Sequence, residues 1–227
     1  MNNNFERFNS SAGAGLLAGT DEKPTIYGPY KAQMEAVISN LVSRFEAIDN
    51  VYYENNDEHV FEHISYRIKS DESMREKCRS RDLPETAHSA LKVLTDAIGI
   101  RIITSFVDDI YGIIDKIREF PDCSIITEKD YIKKAKSNGY RSYHLILNIR
   151  TDTADVDGNI PGEYFVEIQL RTIAMDTWAS LEHKMKYKKD IPNQELISSE
   201  LKRVADELAS CDMSMQTIRA MLRKSQN

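Results

Sequence analysis

The sequence predicts an α+β fold, a mixed β-sheet flanked by helices, with a long helix near each end. Two observations predict it. Stretches with apolar residues at every second position, 61–70, 94–104 and 166–171, are interleaved with stretches in which apolar residues recur at helical spacing. On several of those strands the polar half of the alternation carries acids, guanidinium groups and amides, so one face of the sheet is expected to hold a function.

A chain of 227 residues suits one domain with a helical extension and is long enough to bury a real core. Its net charge of −6 argues against a generic nucleic-acid binder. Local charge differs: residues 131–150 contain Lys133, Lys134, Lys136, Arg141 and Arg150 and no acid, a positive site in an acidic protein. Cys78, Cys123 and Cys211 are odd in number and lack metal-site spacing, which suits a reducing cytoplasm and indicates neither disulfides nor zinc. No apolar run approaches the roughly 20 residues of a membrane span, and no signal-peptide pattern opens the chain, so a cytoplasmic protein without membrane contact is expected.

Taken in order, residues 1–24 are rich in Asn, Ser, Gly and Ala and read as a flexible tail; residues 25–227 form the folded unit. Gly13, Gly15 and Ala18 match a dinucleotide-loop spacing, but no strand precedes them. Residues 30–53 place Met34, Val37, Ile38, Leu41, Phe45 and Ile48 on one helical stripe. In the strand 61–70, Ile64, Tyr66 and Ile68 oppose Ser65, Arg67 and Lys69, so two cations share a face. A short helix from Asp71 adds Arg75, Lys77 and Arg79.

The strand 94–104 carries Arg101 within it and Asp96 just before it. Charges beside a run of isoleucines need partners, and a salt bridge between these two is one structural explanation. A helix over 107–118 turns Ile110, Ile113, Ile114 and Ile117 inward, Pro121 ends it, and 123–127 is a short strand.

The loop 131–139 is basic and ends in the turn pair Asn138-Gly139. The strand after it is expected to set Tyr140, Ser142 and His144 on one face. Loop N–H groups with Lys136 and Arg141 suit phosphates, and the Tyr140 ring suits stacking on a base. Singly, Tyr140 also reads as a plain strand aromatic and His144 as a satisfied core histidine.

A turn at Asp157-Gly158 leads to the strand whose polar face is Glu167, Gln169 and Arg171. Thr172 then caps a helix with Ala174, Trp178, Leu181 and Met185 at helical intervals and its Trp directed inward. Ile191-Pro192 breaks the chain before a long amphipathic helix, 195–222. The polar residues suit a polyphosphate substrate: cations neutralise it, the carboxylates Asp96 and Glu167 can hold Mg²⁺, and rings or guanidinium planes stack on bases.

The stretches YRIKS (66–70), DAIGIR (96–101), DYIKKAKSNGYRSYH (130–144) and VEIQLRTIAMDTWASLEHK (166–184), in that order, resemble the RelA/SpoT synthetase family and its small single-domain alarmone synthetases. The resemblance implies a nucleotidyltransferase-like synthetase fold that transfers the β,γ-pyrophosphate of ATP to the 3′-hydroxyl of GDP or GTP, giving ppGpp or pppGpp and AMP. By the same likeness, Arg67 and Arg101 would sandwich adenine, and Lys69, Ser73 and Lys77 would meet the ATP phosphates. Asp96 would ligate Mg²⁺, and Glu167 would share the metal or take the proton of the attacking hydroxyl. Tyr140 would stack on guanine, with Lys136, Asn138, Arg141, His144 and Gln169 around the acceptor.

The chain departs from the family's usual pattern at Ala97-Ile98 and at Ala135, where a proline is usual; neither change removes a chemical group. The likeness also implies a homotetramer. With no His-Asp dipeptide and ungrouped histidines, no hydrolase activity is expected. Two alternatives share the basic face: a binding module for single-stranded RNA, and a sister enzyme that pyrophosphorylates an RNA 3′ end.

Overall fold

The structure, a computed structural model, describes residues 24–186 and 193–225. The expected tail (except Pro24), the Gly13-Gly15-Ala18 spacing and the break at Ile191-Pro192 lie outside the described residues. Among those described, a five-stranded mixed sheet is flanked by five α-helices: α1 (Lys31–Asn56), β1 (His63–Ile68), α2 (Asp71–Ser80), β2 (Ile98–Thr104), α3 (Val107–Arg118), β3 (Cys123–Asp130), β4 (Tyr143–Thr151), β5 (Gly162–Thr172), α4 (Ile173–Lys186) and α5 (Gln194–Ser225).

The strands lie in the order β1-β2-β5-β4-β3, and only β2 and β5 run parallel. That parallel pair stands at the centre, where burial on both faces is easiest to supply. Register and the period-two rule then sort the side chains. Ile98, Ile100 and Ile102 of β2, Val166, Ile168 and Leu170 of β5, and Leu145 and Leu147 of β4 are all buried and share one cluster with Leu41 of α1 and Ile113 of α3. Each such side chain contributes about 1.5–3 kcal/mol by leaving water. Helices α1 and α3 thus cover one sheet face, which leaves the other for chemistry.

The elements differ from sequence expectation where local geometry overrides pattern. Residues 94–97 are not strand; Ser89–Val93 form a single π-helical turn, and Leu94 is extended before β2. Strand β3 runs three residues past Thr127 because a bulge between Ile125 and Thr127 turns Ile126 out to 55% exposure and resets the alternation. Strand β4 starts only at Tyr143, so Tyr140 and Ser142 belong to the preceding loop, and Ser142 is buried with its hydroxyl donating to the Leu170 carbonyl. They do not share a strand face with His144.

Helix α4 begins as expected, with Thr172 Oγ1 accepting the Met175 N–H. Trp178 is buried and donates through Nε1 to the Leu201 carbonyl at 2.7 Å, yet Leu181 and Met185 face outward. The partner of α4 is α5: Trp178, Ala179 and Ala205 form a second small core with Tyr140, Leu201, Val204 and Leu208. Near its other end α5 is tied down by Arg219, buried, whose guanidinium donates to Asp109 of α3 at 2.7 Å and to Tyr52 of α1 at 2.7 Å. The helix therefore reaches from the basic loop to the far side of the sheet.

Candidate active site

The polar face of the sheet is laid out in two rows by the pairing register. One row runs Arg67, Gly99, Glu167, Ile146; the next runs Ser65, Arg101, Gln169, His144, Lys129. Adjacent strands are about 4.8 Å apart, so the five polar residues Arg67, Arg101, Glu167, Gln169 and His144 fall within a patch about 15 Å across. Gly99 has no side chain to set between Arg67 and Glu167.

At the β1 end sits a cation cluster. Past the last residue of β1, Lys69 donates its backbone N–H to the Ala97 carbonyl at 2.8 Å, which brings its ammonium onto Asp96. Ser70 caps α2 by accepting the Ser73 N–H, and the Ser70 and Ser73 hydroxyls are 2.9 Å apart. One turn after Ser73, Lys77 reaches the same Asp96 oxygen, Oδ2, at 2.5 Å. The salt bridge formed by Asp96 is therefore with Lys69 and Lys77 and not with Arg101.

Burial raises the Asp96 carboxyl, but the two ammonium groups outweigh it and hold the net value below the usual carboxylate range. Burial likewise lowers Lys69 against the pull of Asp96, and it lowers Arg67, with Glu167 and Asp96 opposing. Oδ1 of Asp96 is buried and has no hydrogen-bond partner. An orphaned carboxylate oxygen beside a second carboxylate suits a hard divalent cation. Because the described residues contain no group of three or more His, Cys, Asp or Glu around one point, such a cation would complete its shell with substrate phosphates and water.

At the β4 end sits an aromatic cluster. Tyr140 is half-buried; its hydroxyl lies 2.8 Å from His144 Nε2 and its ring 6.1 Å from that of Tyr131. The Lys136 ammonium rests 4.7 Å from the Tyr140 ring centre and 4.6 Å from that of Tyr131. Asn138 makes an Asx turn, its Oδ1 accepting the Tyr140 N–H, while its amide donates to Glu182 of α4 at 3.1 Å. Gly139 has φ +89°. Arg141 turns away from the sheet face: it donates to the Ala205 carbonyl at 3.2 Å and to Asp206 at 2.9 Å, and so fastens the loop to α5.

Glu167 stands between the clusters. Burial raises its carboxyl, but His144, whose Nδ1 is 3.5 Å from Oε1, and Gln169 outweigh burial and hold it below the usual range. Burial also lowers His144, against Glu167, so the imidazole is neutral near pH 7. Arg101, in reach of Asp176 of α4 and of Gln169, is pulled down to about 10 by burial and by Arg171.

Arg171, Asp176, Trp178, Glu182 and Tyr131 complete the surroundings and were not among the expected site residues. For Arg171 the signal existed, since it extends the alternation of Glu167 and Gln169 by one step. Asp176 and Glu182 had none, because only the docking of α4 beside β5 brings them near.

Carboxylates set among ammonium and guanidinium groups at one end of a sheet face, with rings packed edge-to-face at the other, suit a nucleotide phosphate on an α+β fold. The profile described as a region found in RelA/SpoT proteins matches residues 66–192, and the chain belongs to this family. GTP pyrophosphokinase YwaC of Bacillus subtilis (strain 168) is 35% identical over 205 residues, 88% of this chain and 94% of that protein. GTP pyrophosphokinase YjbM of the same organism is 30% identical over 87% of this chain and 89% of its own. The crystal structure of small alarmone synthetase 1 from B. subtilis bound to its product pppGpp superposes with a TM-score of 0.70 at 32% identity, covering 83% of this chain and 93% of that one. Small alarmone synthetase 2 from B. subtilis gives 0.71 at 34% identity, over 84% and 96%.

Proposed function

We propose that the chain transfers the β,γ-pyrophosphate of ATP to the 3′-hydroxyl of GDP or GTP, making ppGpp or pppGpp and AMP. One observation carries the reading: Glu167 lies between a cation cluster suited to a triphosphate and an aromatic, His-bearing cluster suited to a purine. On this reading Lys69, Lys77 and Ser73 hold the ATP phosphates and Arg67 and Arg101 flank adenine. Tyr140 stacks on guanine, with Lys136, Asn138, His144 and Gln169 about the acceptor.

The acceptor 3′-oxygen attacks the β-phosphorus, the bond from that phosphorus to the α-bridging oxygen breaks, and AMP leaves. Glu167, ionised, takes the hydroxyl proton. Asp96 with Glu167 would hold Mg²⁺, which when bound supplies charge neutralisation on the phosphates. The protein's other contribution is alignment, since phosphoryl transfer asks mainly for positioning and charge stabilisation. Arg141 enters this reading as the residue that holds the acceptor loop on α5 and not as a phosphate ligand.

The test is incubation with Mg²⁺, β-labelled ATP and, in turn, GDP, GTP, GMP and tRNA. Label on GDP or GTP supports the reading, and label on tRNA alone favours the RNA-modifying alternative. Release of pyrophosphate from ppGpp with Mn²⁺ would contradict the absence of hydrolysis that the reading includes.

The reading extends to residues 25–227 as one synthetase domain of a cytoplasmic homotetramer. Exposed Leu181 and Met185 on α4 and Met213 and Met221 on α5 supply apolar surface for assembly. Among the described residues no helix is long and apolar enough to cross a membrane. Light scattering that returned the 26.0 kDa monomer at micromolar concentration would count against assembly.

A further inference from the structure

Arg171 ends the polar face of β5 with only 2% of its surface exposed, and the reaction above gives it no task. Its guanidinium donates to the Tyr140 hydroxyl at 2.8 Å, to Gln169 Oε1 at 3.2 Å and to Asp176 Oδ1 at 3.0 Å. A guanidinium has donors only, so in the first of these bonds the phenolic oxygen must accept. The phenolic proton is then free for the other neighbour of that oxygen, Nε2 of His144 at 2.8 Å. A ring nitrogen that accepts carries no proton, which leaves the proton of the neutral imidazole on Nδ1. Nδ1 is the nitrogen that faces Glu167 Oε1, at 3.5 Å. Glu167 at the far end can only accept, so with the proton on Nδ1 the Arg171, Tyr140, His144 and Glu167 groups each meet a partner of the opposite kind, whereas an Nε2–H imidazole would turn a lone pair towards the carboxylate.

We propose that Arg171 is a positioning residue for pyrophosphoryl transfer: held by Asp176, it donates to Tyr140 and so fixes His144 as the Nδ1–H tautomer, keeping a hydrogen-bond donor aimed at the Glu167 carboxylate. The inference rests on the functional reading above. It gives Tyr140 two separable parts, a ring for the acceptor base and a hydroxyl that passes on orientation from Arg171. It also explains why a fully buried guanidinium is placed beside a phenol, where its positive charge lies 5.3 Å from the ring centre.

The tautomer can be read directly from long-range ¹H–¹⁵N spectra of the nucleotide-free chain with ¹⁵N-labelled imidazoles, about 1.5 pH units above the ordinary histidine pKa. The chain has five histidines, and the resonances lost in His144→Gln identify the one in question. The wild type is expected to show Nδ1–H, the minor form of free histidine in water. Arg171→Met and Tyr140→Phe are both expected to shift the ring towards Nε2–H. Tyr140→Phe keeps the ring and disturbs packing least, so it decides the matter if Arg171→Met folds poorly. In kinetics Tyr140→Phe should lower kcat about 10- to 100-fold, the usual cost of losing an orienting partner, while the KM for GDP stays within about 3-fold.

A wild-type ring protonated on Nε2, or a tautomer unmoved in Tyr140→Phe, overturns the proposal. So does a Tyr140→Phe effect confined to KM. Because the tautomer is read without nucleotide, a wild type that transfers no label fails the functional reading in a way distinguishable from failure of this network.

Discussion

Lys77 closes on Oδ2 of Asp96 at 2.5 Å from α2, and Lys69 reaches the same oxygen from the end of β1, so that Oδ1 stays buried with no hydrogen-bond partner. The two cations hold the carboxylate in place and leave its second oxygen to a ligand. Asp96→Asn keeps the shape but removes the charge that both cations oppose. Transfer is expected to fall about 10²-fold, with a higher Mg²⁺ requirement. Rates measured across a Mg²⁺ titration check this, and an unchanged Mg²⁺ dependence would assign the metal elsewhere.

Gly139 holds the acceptor loop where no other residue fits. Its φ is +89°, and a Cβ there would lie 2.6 Å from the Cβ of Ala205 on α5. Gly139→Ala should therefore lift the loop from the helix and displace Tyr140. A displacement of about 1 Å can cost about 10²-fold where alignment matters, so the KM for GDP should rise steeply while that for ATP stays near normal. Equal effects on both nucleotides would mean that the loop serves the whole site.

Tyr140→Ala removes the stacking ring together with its hydroxyl. Loss of one base–aromatic stack forfeits roughly 1–3 kcal/mol, about one to two orders of magnitude in acceptor affinity. Guanine-nucleotide binding, measured by calorimetry, should weaken accordingly and ATP binding should not. Weakened ATP binding would exchange the two ends of the site.

Asp155 organises the connection between β4 and β5. It is 1% exposed, takes Lys92 Nζ at 2.6 Å, and accepts the N–H groups of Asp157 and Asn159 at 3.0 Å each. Burial raises its carboxyl, but Lys92 and these N–H donors outweigh it and hold the folded value well below the unfolded one. The stabilisation is thus fully present above the unfolded carboxyl value, near pH 4, and is lost as pH falls from there towards the folded value. Asp155→Asn keeps one acceptor but turns an amide towards Lys92, at a cost of about 2 kcal/mol near neutrality. Thermal melts at pH 7 and pH 3 should show the gap between wild type and variant narrowing in acid; a constant gap would contradict the assignment.

The strands and the end helices were legible because burial on one side imposes a period, and 166–171 displays it without interruption through Val166, Ile168 and Leu170. The polar face was legible for the same reason, as the residues that break the apolar pattern. Loops and tertiary reach were not. Tyr140 meets His144 through a turn, where alternation says nothing. Arg141 looked like one more cation of the basic loop, and only the docking of α5 shows that it fastens the loop to Asp206. The bulge at Ile126 and the π-helical turn at Ser89–Val93 leave no periodic mark. Leu181 and Met185 lie on the predicted stripe, but periodicity identifies an apolar stripe without saying how far a neighbour covers it.

The division of labour on the sheet face turns on Glu167, the carboxylate between the two clusters. Turnover of Glu167→Gln with saturating ATP, GDP and Mg²⁺ tests it most directly, because the amide preserves the shape and one acceptor oxygen and abolishes the base. The account predicts a fall in kcat of about 10²-fold or more with GDP affinity retained. Near-normal turnover would contradict it and move the base to another residue.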